Sequence, residues 1–379
     1  MKRFYYIANI RLPTEKAHGV QIMEMCAAFA KAGADVHLLV PRRATPIIEN
    51  PFTYYGINKT FSIKYLWCVD AVGWPIGALG FWIQTITFLW MARRVLARES
   101  SDVLYTREPR VGLMFKNFVL EVHDLPKHIS RWQRLVWRRA QKIVVLTKYL
   151  KEEIVAQGIP ESKIIVAPDG VNLQAFNALN SHHQIRHQLG LPVEKKIAMY
   201  VGSFYLYDWK GVDVLLRAAE KLPENIVVVA VGGNEHEIAT IQTTYPTAKN
   251  LLLIGRKKHA EVAAYLQVAD VLVLPNTRGD ANSERYTSPL KLFEYMASGT
   301  PIVASDLPSI REILSEKNAF LVPPGDVDAL AVKIQSVVAN KEEASRRATQ
   351  ALRDVQAYTW DRRAQAILAF MEKNHESGY

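Results

Sequence analysis

Hydrophobic positions along the chain alternate between short continuous runs and helical spacing. Residues 4–9 form an apolar run, a polar loop follows, and residues 22–30 then repeat apolar positions at the spacing of one helix face. Gly33 is a suitable residue to end that helix, and residues 36–40 form the next apolar run. This order of strand, loop, helix and strand predicts the beginning of a doubly wound α/β domain.

The second half of the chain repeats this alternation. Six apolar runs are predicted to be strands: IAMYVG, NIVVVAVGG, NLLLIG, DVLVLP, PIVAS and AFLVPP. Because these runs are apolar throughout, both faces of each strand are expected to be buried, as in a parallel sheet. The sequence therefore predicts an α/β protein with two Rossmann-like parallel-sheet domains facing a central cleft, over residues 1–180 and 190–357. A polar linker is expected over residues 168–187, and the packing of a last helix over 358–379 is left open.

Composition and charge narrow the class of protein. With 49% hydrophobic and 22% charged residues, the chain is typical of globular proteins rather than disordered or fibrous ones. Residues 1–180 contain 24 Lys and Arg against 14 Asp and Glu, whereas the remainder contains 23 of each. The first domain therefore carries the whole net charge of +10, which indicates a partner of its own.

Two features indicate the compartment. Cys26 and Cys68 both lie among apolar residues, which predicts buried free thiols in a reducing compartment. The first apolar run ends at Ile10 and is too short for the core of a signal peptide. A cytoplasmic protein is expected.

One predicted helix, in the segment SPLKLFEYMASG, combines a strong start signal with charged side chains. Ser288 is expected to cap this helix and Pro289 to occupy its first turn. The amides of Leu290 and Lys291 then point out of the positive helix end, which favours an anion such as a diphosphate. Glu294 shares this face, and its carboxylate suits the two hydroxyls of a ribose. A capped core helix with a solvated Lys–Glu pair is the alternative.

Further candidates lie where strands end. Lys210 is expected at the start of the helix that follows the strand ending at Gly202, with an ordinary surface lysine as the alternative. His123 comes directly after an apolar run, and the carboxyl ends of parallel strands face the crevice of such a domain. His18 and Gly19 occupy the first strand–helix loop, where the glycine permits close backbone approach and the histidine suits a sugar or phosphate. An ordinary strand-end histidine and an ordinary polar loop are the alternatives.

The second half resembles the family-4 glycosyltransferases of GT-B fold. The similar segments follow the family's order over most of residues 160–330; they are VGSFYLYDWKGVDVLLRAA, PDGVNLQAF, SPLKLFEYMASGTPIVASD, REIL and AFLVPPGD. In the first half the similarity is limited to an early glycine loop and the histidine of HDLP. The resemblance implies a GT-B fold and retaining transfer of a sugar from a UDP- or GDP-linked donor, with no obligatory cofactor or metal.

The resemblance also implies roles for individual residues. Glu294 would hold the donor ribose, Lys291 and Lys210 the diphosphate, and His123 would lie beside the transferred sugar. The candidate donor-binding residues are Gly19, Gly202, Lys210, Arg256, Ser288, Leu290, Lys291 and Glu294. The candidate acceptor-binding residues are Glu15, His18 and Asp124, and the candidate catalytic residues are His123, Tyr286 and Glu294.

Two positions depart from the family pattern. The Glu-x7-Glu motif has Tyr286 in place of its first glutamate, and Glu284 lies two residues away. Ser203 follows Gly202 where the family often has an arginine. The missing first glutamate makes a catalytically silent scaffold subunit one alternative function. A sugar-nucleotide epimerase of the same fold is the other, because the start of the helix would suit either enzyme.

The sequence gives little support for metal binding or for nucleic-acid binding. Asp326-Val-Asp328 imitates a metal-binding Asp-x-Asp motif, but its place before a helical stretch favours helix capping. We predict no metal site, and since no nucleic-acid-binding motif accompanies the basic residues, we predict no nucleic-acid partner.

A basic and aromatic region indicates a membrane partner instead. Residues 125–151 contain eight Lys and Arg and no Asp or Glu, with tryptophans interleaved, as in a basic helix at an anionic membrane surface. Residues 71–92 are uncharged and, with Trp67, contain four of the eight tryptophans. We expect a peripheral protein on the inner face of the membrane that receives a glycan or lipid-linked acceptor. A transmembrane span over 71–92 and a core helix plus loop are the alternatives.

Overall fold

The structure, a computed structural model, describes residues 2–99, 101–176, 181–204, 208–245 and 250–372. The chain divides into two compact units: Met1–Pro168 with Trp360–Tyr379, and Asp169–Thr359. The first unit therefore ends at Pro168, whereas the sequence suggested residue 180. Residues 177–180 of the expected linker and 373–379 of the expected last helix lie outside the described residues.

A seven-stranded sheet forms the centre of the first unit. Its strands are β1 (Arg3–Ile7), β2 (Asp35–Pro41), β3 (Ser62–Leu66), β4 (Val103–Thr106), β5 (Val119–Val122), β6 (Lys142–Val145) and β7 (Ile164–Val166). All of their pairings are parallel, in the order β3–β2–β1–β4–β5–β6–β7. The helices between them are α1 (Ala17–Lys31), α2 (Pro51–Tyr55), α3 (Ala78–Arg98), α4 (Val111–Met114), α5 (Arg131–Arg139) and α6 (Lys148–Ala156).

The predicted opening of the first unit is confirmed. α1 buries Ile22, Cys26 and Phe29, which recur at helical spacing, and the Phe29 ring packs on Phe4 of β1. The helix ends where Gly33 adopts a φ of +95°, a conformation that suits glycine, and β2 follows two residues later. Both Cys26 and Cys68 are buried free thiols, as expected.

The second unit contains a six-stranded sheet. Its strands are β8 (Lys196–Val201), β9 (Ile226–Gly233), β10 (Leu251–Gly255), β11 (Val271–Leu274), β12 (Ile302–Ser305) and β13 (Phe320–Val322), ordered β10–β9–β8–β11–β12–β13. The helices of this unit are α7 (His182–Gln188), α8 (Val212–Ala219), α9 (Glu235–Thr244), α10 (His259–Gln267), α11 (Leu290–Ser298), α12 (Pro308–Arg311), α13 (Val327–Ala339) and α14 (Lys341–Asp354). Every pairing is parallel and both sheet faces are covered by apolar clusters, which confirms the prediction from the six apolar runs.

For two segments, the sequence did not predict the unit to which they belong. Part of the expected linker is helix α7, which belongs to the second unit and buries Arg186 against Asp270. The last helix, α15 (Trp360–Glu372), belongs to the first unit, where it packs against α1. The first unit is thus completed by residues from the far end of the chain.

The uncharged region over residues 71–92 is partly helical. α3 covers its second half and continues to Arg98. Among the described residues, no helix has both the length and the apolar character needed to span a membrane.

Candidate functional site

Two lysines of the second unit converge on the segment that follows β8. The Nζ of Lys291 lies over the ring of Tyr200, 4.0 Å from its centroid, and donates to the Tyr200 hydroxyl at 2.8 Å. That hydroxyl donates in turn to the carbonyl of Ser203 at 3.1 Å, and the Nζ of Lys210 donates to the Ser203 hydroxyl at 2.8 Å. Ser203 therefore links both cations, although they are far apart in sequence.

Gly202 makes this convergence possible. Its φ is +149°, and a Cβ atom at this position would lie 2.6 Å from the Nζ of Lys291. A side chain here would displace the ammonium group, so glycine is needed where the backbone meets Lys291. Donor binding at Gly202 stays a prediction.

The two ammonium groups form a site that favours an anion. Burial, followed by the charge of Lys210, lowers the pKa of Lys291 well below its usual 10.5, against the opposing effect of Glu294. Burial likewise lowers the pKa of Lys210 to about 8. Both groups are destabilised as cations, and a bound anion would compensate for this.

The start of α11 differs from the prediction. The helix begins at Leu290 with Pro289 at the N-cap position, and it has no side-chain cap among the described residues. Ser288 was expected to cap this helix; instead its hydroxyl accepts from the backbone N–H of Asp169 at 3.0 Å. The amides of Leu290 and Lys291 lie in the first turn, where a helix provides no internal acceptors, so they remain suited to an anion.

Glu294 lies one turn further along α11 and is held by a histidine that the sequence did not suggest. Its Oε1 is 2.6 Å from the Nε2 of His259, the first residue of α10, and its side chain is only 15% exposed. Arg256, one of the candidate donor-binding residues, lies directly after β10 and is exposed. Part of the aromatic loop after Gly202, residues 205–207, lies outside the described residues.

Glu284, two residues before Tyr286, is hydrogen-bonded within its own loop. Its Oε1 accepts from the backbone N–H of Gly279 at 2.8 Å, so this carboxylate stabilises its own loop. Tyr286 is buried at the end of a π-helical turn, Asn282–Tyr286, four residues before α11 begins. A catalytic role for Tyr286 stays a prediction.

The first unit brings polar side chains together around a buried carboxylate. Glu121, in β5, is 1% exposed. Its Oε1 accepts from Gln21 Nε2, His123 Nε2 and Arg363 Nη2, each at 2.7 Å, and its Oε2 accepts from the Tyr105 hydroxyl at 2.5 Å. Although burial alone would raise the pKa of Glu121, Arg363 and then His123 hold it well below 4.5. Glu121 is therefore an ionised carboxylate with four donors.

His123 lies directly after β5, as predicted, with its side chain 18% exposed. Burial, and next the charge of Arg107, lower its pKa to about 4, although Glu121 opposes this shift. Arg107 is itself anchored, since its Nη1 donates to the Oε1 of Gln21 at 2.7 Å. His123 is therefore a neutral imidazole near pH 7.

His18 and Gly19 lie in the first turn of α1 rather than in the expected loop, because the helix begins at Ala17. Burial and the charge of Arg107 lower the pKa of His18 to about 4. A Cβ atom on Gly19 would lie 2.2 Å from the Tyr55 hydroxyl, so Gly19 permits a close contact within the unit. A donor contact at Gly19 stays a prediction.

The remaining candidates are on the surface. Glu15 forms an ion pair with Arg11 at 2.6 Å, and Asp124 is exposed beside His123. Asp326 accepts from the N–H of Ala329 at 2.9 Å and thereby caps α13, as predicted for the Asp-x-Asp segment.

Comparison with known proteins establishes the family. Models described as "Glycosyltransferase Family 4" and "Glycosyl transferases group 1" match residues 18–175 and 181–354. The chain is 30% identical to the phosphatidyl-myo-inositol mannosyltransferase of Mycobacterium leprae, over 95% of this chain and 94% of that protein. The chain is a family-4 glycosyltransferase. This confirms the resemblance and the enzyme class.

Solved structures show the same fold. The glycosyltransferase is similar to sucrose-phosphate synthase from Thermosynechococcus elongatus, with a TM-score of 0.79, 19% identity and complete coverage of both chains. It is also similar to HepE from Anabaena in complex with UDP-glucose, with a TM-score of 0.74, 17% identity and coverage of 98% and 100%. The predicted GT-B fold is confirmed.

In this glycosyltransferase, several residues that contact the predicted site residues were not predicted from the sequence. Tyr200 and His259 gave no signal, because strand tyrosines and helix-start histidines are common. Ser203 was noted only as a departure from the family pattern, and its contact with Lys210 was not predicted. Glu121 did give a usable signal. It is an acidic residue inside the four-residue apolar strand VLEV, and if both faces of that strand are buried, its carboxylate must have a charged or hydrogen-bonding partner. Its partner Arg363 is 242 positions away, and the sequence contained no signal that links the two residues.

Proposed function

We propose that this glycosyltransferase moves a sugar, with retention of anomeric configuration, from a nucleotide-diphospho-sugar to a membrane-associated glycan or lipid acceptor. The observation that carries the donor assignment is the convergence of Lys291 and Lys210 on Ser203, next to the start of α11. The diphosphate would be bound by these two cations and by the first amides of α11. Since HepE was solved with UDP-glucose, UDP-linked sugars are the first donors to test, with GDP-linked sugars next.

The proposed reaction exchanges one bond at the anomeric carbon for another. The bond to the diphosphate oxygen breaks, the bond to an acceptor hydroxyl oxygen forms on the same face, and the hydroxyl proton passes to the departing diphosphate. The diphosphate gains negative charge as it departs, and the cations and helix amides stabilise that charge. Because these groups belong to the chain, we expect transfer to continue in the presence of a metal chelator.

Glu294 provides the test of the donor site. The hydrogen bond between its Oε1 and His259 orients the carboxylate. The second oxygen, Oε2, would then accept from a ribose hydroxyl. Glu294→Gln is expected to weaken UDP or GDP binding by about 10- to 100-fold, because hydrogen bonds to a charged acceptor are the stronger ones. Isothermal titration calorimetry with each nucleotide measures this, and the anomeric configuration of the product, determined by NMR, tests retention.

Glu316→Gln is the matched control, since Glu316 is an exposed carboxylate of the same unit that pairs with Arg311. Equal affinities in Glu294→Gln, Glu316→Gln and the unsubstituted protein would refute the ribose assignment. Failure of every nucleotide to bind the unsubstituted protein would refute the donor site as a whole.

The first unit has an exposed apolar surface that suits a membrane. On α3, Leu79, Trp82, Ile86 and Trp90 lie three or four positions apart and are 42% to 59% exposed, while Phe88 and other residues of the opposite face are buried. We define the docking surface as these four residues with Leu113 of α4 and Trp132 and Leu135 of α5, all exposed. α4 packs against both α3 and α5, so the three helices are neighbours.

Basic side chains accompany this docking surface. The guanidinium of Arg94 lies 4.1 Å from the centre of the Trp90 ring, and that of Arg110 lies 5.1 Å from the Trp82 ring. Arg131, Arg138 and other basic residues of α5 add positive charge beside Trp132. Exposed tryptophans next to arginines are typical of proteins bound at an anionic lipid surface, in agreement with a position on the inner face of the membrane. The name of the M. leprae relative supports a lipid acceptor.

Ile86→Glu is expected to reduce binding to phosphatidylglycerol vesicles by about tenfold or more, because it removes an apolar side chain that would enter the membrane and adds a charge that the anionic lipids repel. Val332→Glu, at an exposed apolar position of the second unit, is the control and should bind as the unsubstituted protein does. Vesicle co-sedimentation at low and high salt measures both. Binding that is indifferent to anionic lipid, or equal in the two variants, would contradict docking through α3.

A further inference from the structure

The hydrogen bond between His123 and Glu121 determines which nitrogen of the imidazole faces outward. The Nε2 of His123 is 2.7 Å from the Oε1 of Glu121. An ionised carboxylate has no proton to donate, so the proton of this hydrogen bond belongs to Nε2. In a neutral imidazole the other nitrogen, Nδ1, then carries a lone pair and can only accept.

Arg363 keeps Glu121 in the ionised state that this arrangement needs. Its Nη2 donates to the same Oε1 at 2.7 Å. Its Nε donates to the carbonyl oxygens of Pro168 at 2.9 Å and Ala167 at 3.2 Å, directly after β7. The guanidinium is therefore fixed on one side by the backbone and on the other by the carboxylate. α15 thus delivers, from the end of the chain, the cation that pairs with the buried Glu121.

We infer that Arg363, acting through Glu121, is a positioning residue that fixes His123 as its Nε2–H tautomer, so that Nδ1 accepts a hydrogen bond from a substrate hydroxyl. The assignment of that hydroxyl to a sugar substrate rests on the proposed function. The tautomer itself rests only on the contacts within the first unit. Donor-sugar and acceptor hydroxyls are both donors toward an unprotonated nitrogen, so either suits this Nδ1.

The charges around His123 favour this neutral tautomer over the doubly protonated ring. The charged and titratable groups that act on it are Glu121 on β5, Arg107 after β4, Arg363 on α15 and His18 on α1. Glu121 is the one anion among them, and its charge is shared with Arg363. A second proton on His123 would turn Nδ1 into a donor and abolish its ability to accept from a hydroxyl. Activity that depends on this contact should therefore be lost as the pH falls through the pKa of His123.

The tautomer can be measured without any activity assay. In protein labelled with 15N-histidine, long-range 1H–15N NMR spectra distinguish protonated from unprotonated ring nitrogens, and His123→Asn identifies the signal by its loss. Near neutral pH we expect His123 to have a protonated Nε2 and an unprotonated Nδ1. A proton on Nδ1, or a doubly protonated ring, would overturn the inference.

The role of Arg363 is tested by Arg363→Met against Arg362→Met, an exposed arginine of the same helix. Without the Arg363 guanidinium, the negative charge of Glu121 is no longer shared and acts more strongly on His123. Protonation of His123 becomes easier, so its titration midpoint should rise by about one pH unit or more. The acidic limb of the pH profile of kcat/KM should rise by the same amount, while Arg362→Met leaves both unchanged. Arg363→Lys restores the charge and should return the midpoint part of the way.

Each outcome decides the inference. If Arg363→Met does not fold, the tautomer of the unsubstituted protein and the midpoint in Arg363→Lys still decide it. Unchanged midpoints in both Arg363 variants would overturn the role of Arg363. If the tautomer and the shift are as expected but no sugar is transferred, the proposed function fails and the positioning by Arg363 stands. Sugar transfer together with an Nδ1–H tautomer would support the proposed function and overturn the inference about Arg363.

Discussion

Lys291→Met is expected to lower kcat/KM for the sugar donor by about 100- to 1,000-fold, because it removes a positioned charge from the departing diphosphate. The Nζ of Lys291 is held over the Tyr200 ring and beside Gly202. Lys210 remains in the variant and still donates to Ser203, which leaves part of the attraction for the donor. Steady-state kinetics with varied donor measures the loss.

The same substitution should not destabilise the protein. Burial makes the Lys291 ammonium costly, as its lowered pKa indicates, and replacing a desolvated cation with an apolar side chain of similar length is neutral or stabilising. We therefore expect an unchanged or higher midpoint of thermal unfolding, as for other residues whose charge serves function at the expense of stability. Lys317→Met, at an exposed lysine of the same unit, is the control and should retain full activity. Full activity in Lys291→Met would contradict the diphosphate assignment.

The lysine pair also predicts proton uptake on donor binding. The pKa of Lys210 is about 8 and that of Lys291 is well below 10.5, and a diphosphate next to them raises both. The complex then holds more protons than the free protein, so donor affinity is expected to fall as the pH rises through about 8. Calorimetric titrations in buffers of different ionisation enthalpy should show this uptake near that pH, and less of it in Lys291→Met.

Gly211→Ala is expected to destabilise the second unit by about 4 kcal/mol or more, which is at the upper end for single substitutions. Gly211 precedes α8 with a φ of +66°, and an added Cβ would lie 1.8 Å from the carbonyl oxygen of Pro275. Because the obstacle is backbone, it cannot move aside as a side chain could. The displacement would also disturb the adjacent Lys210 and weaken donor binding.

Gly190→Ala is the matched control for this prediction. Gly190 has nearly the same backbone conformation, with a φ of +67°, but a Cβ there would meet nothing within 4 Å. It should cost only about 1–2 kcal/mol, the penalty for a left-handed conformation in a residue with a side chain. Urea unfolding followed by circular dichroism compares the two variants. Equal losses of stability would mean that the close approach to Pro275 has no energetic consequence.

Local patterns were sufficient where an element depends on its own residues. The six apolar runs of the second unit became six parallel strands, and the stop at Gly33 ended α1, because burial and backbone conformation are properties of short segments. The helix over residues 290–298 with Lys291 and Glu294 on it was likewise predictable. The exact start was not, because Ser288 is engaged by Asp169 from a distant part of the chain.

The sequence by itself therefore determined the two parallel-sheet domains, the positions of His123 after a strand and of Lys291 and Glu294 on one helix, and the excess positive charge of the first half. Only the tertiary structure decided which groups surround them. It placed Lys291 on Tyr200 and Arg363 on Glu121, contacts that join residues 91 and 242 positions apart. Periodicity and capping act over a few residues, whereas the pairing of a buried charge depends on which elements pack together. The chemical state of the site depends on that pairing.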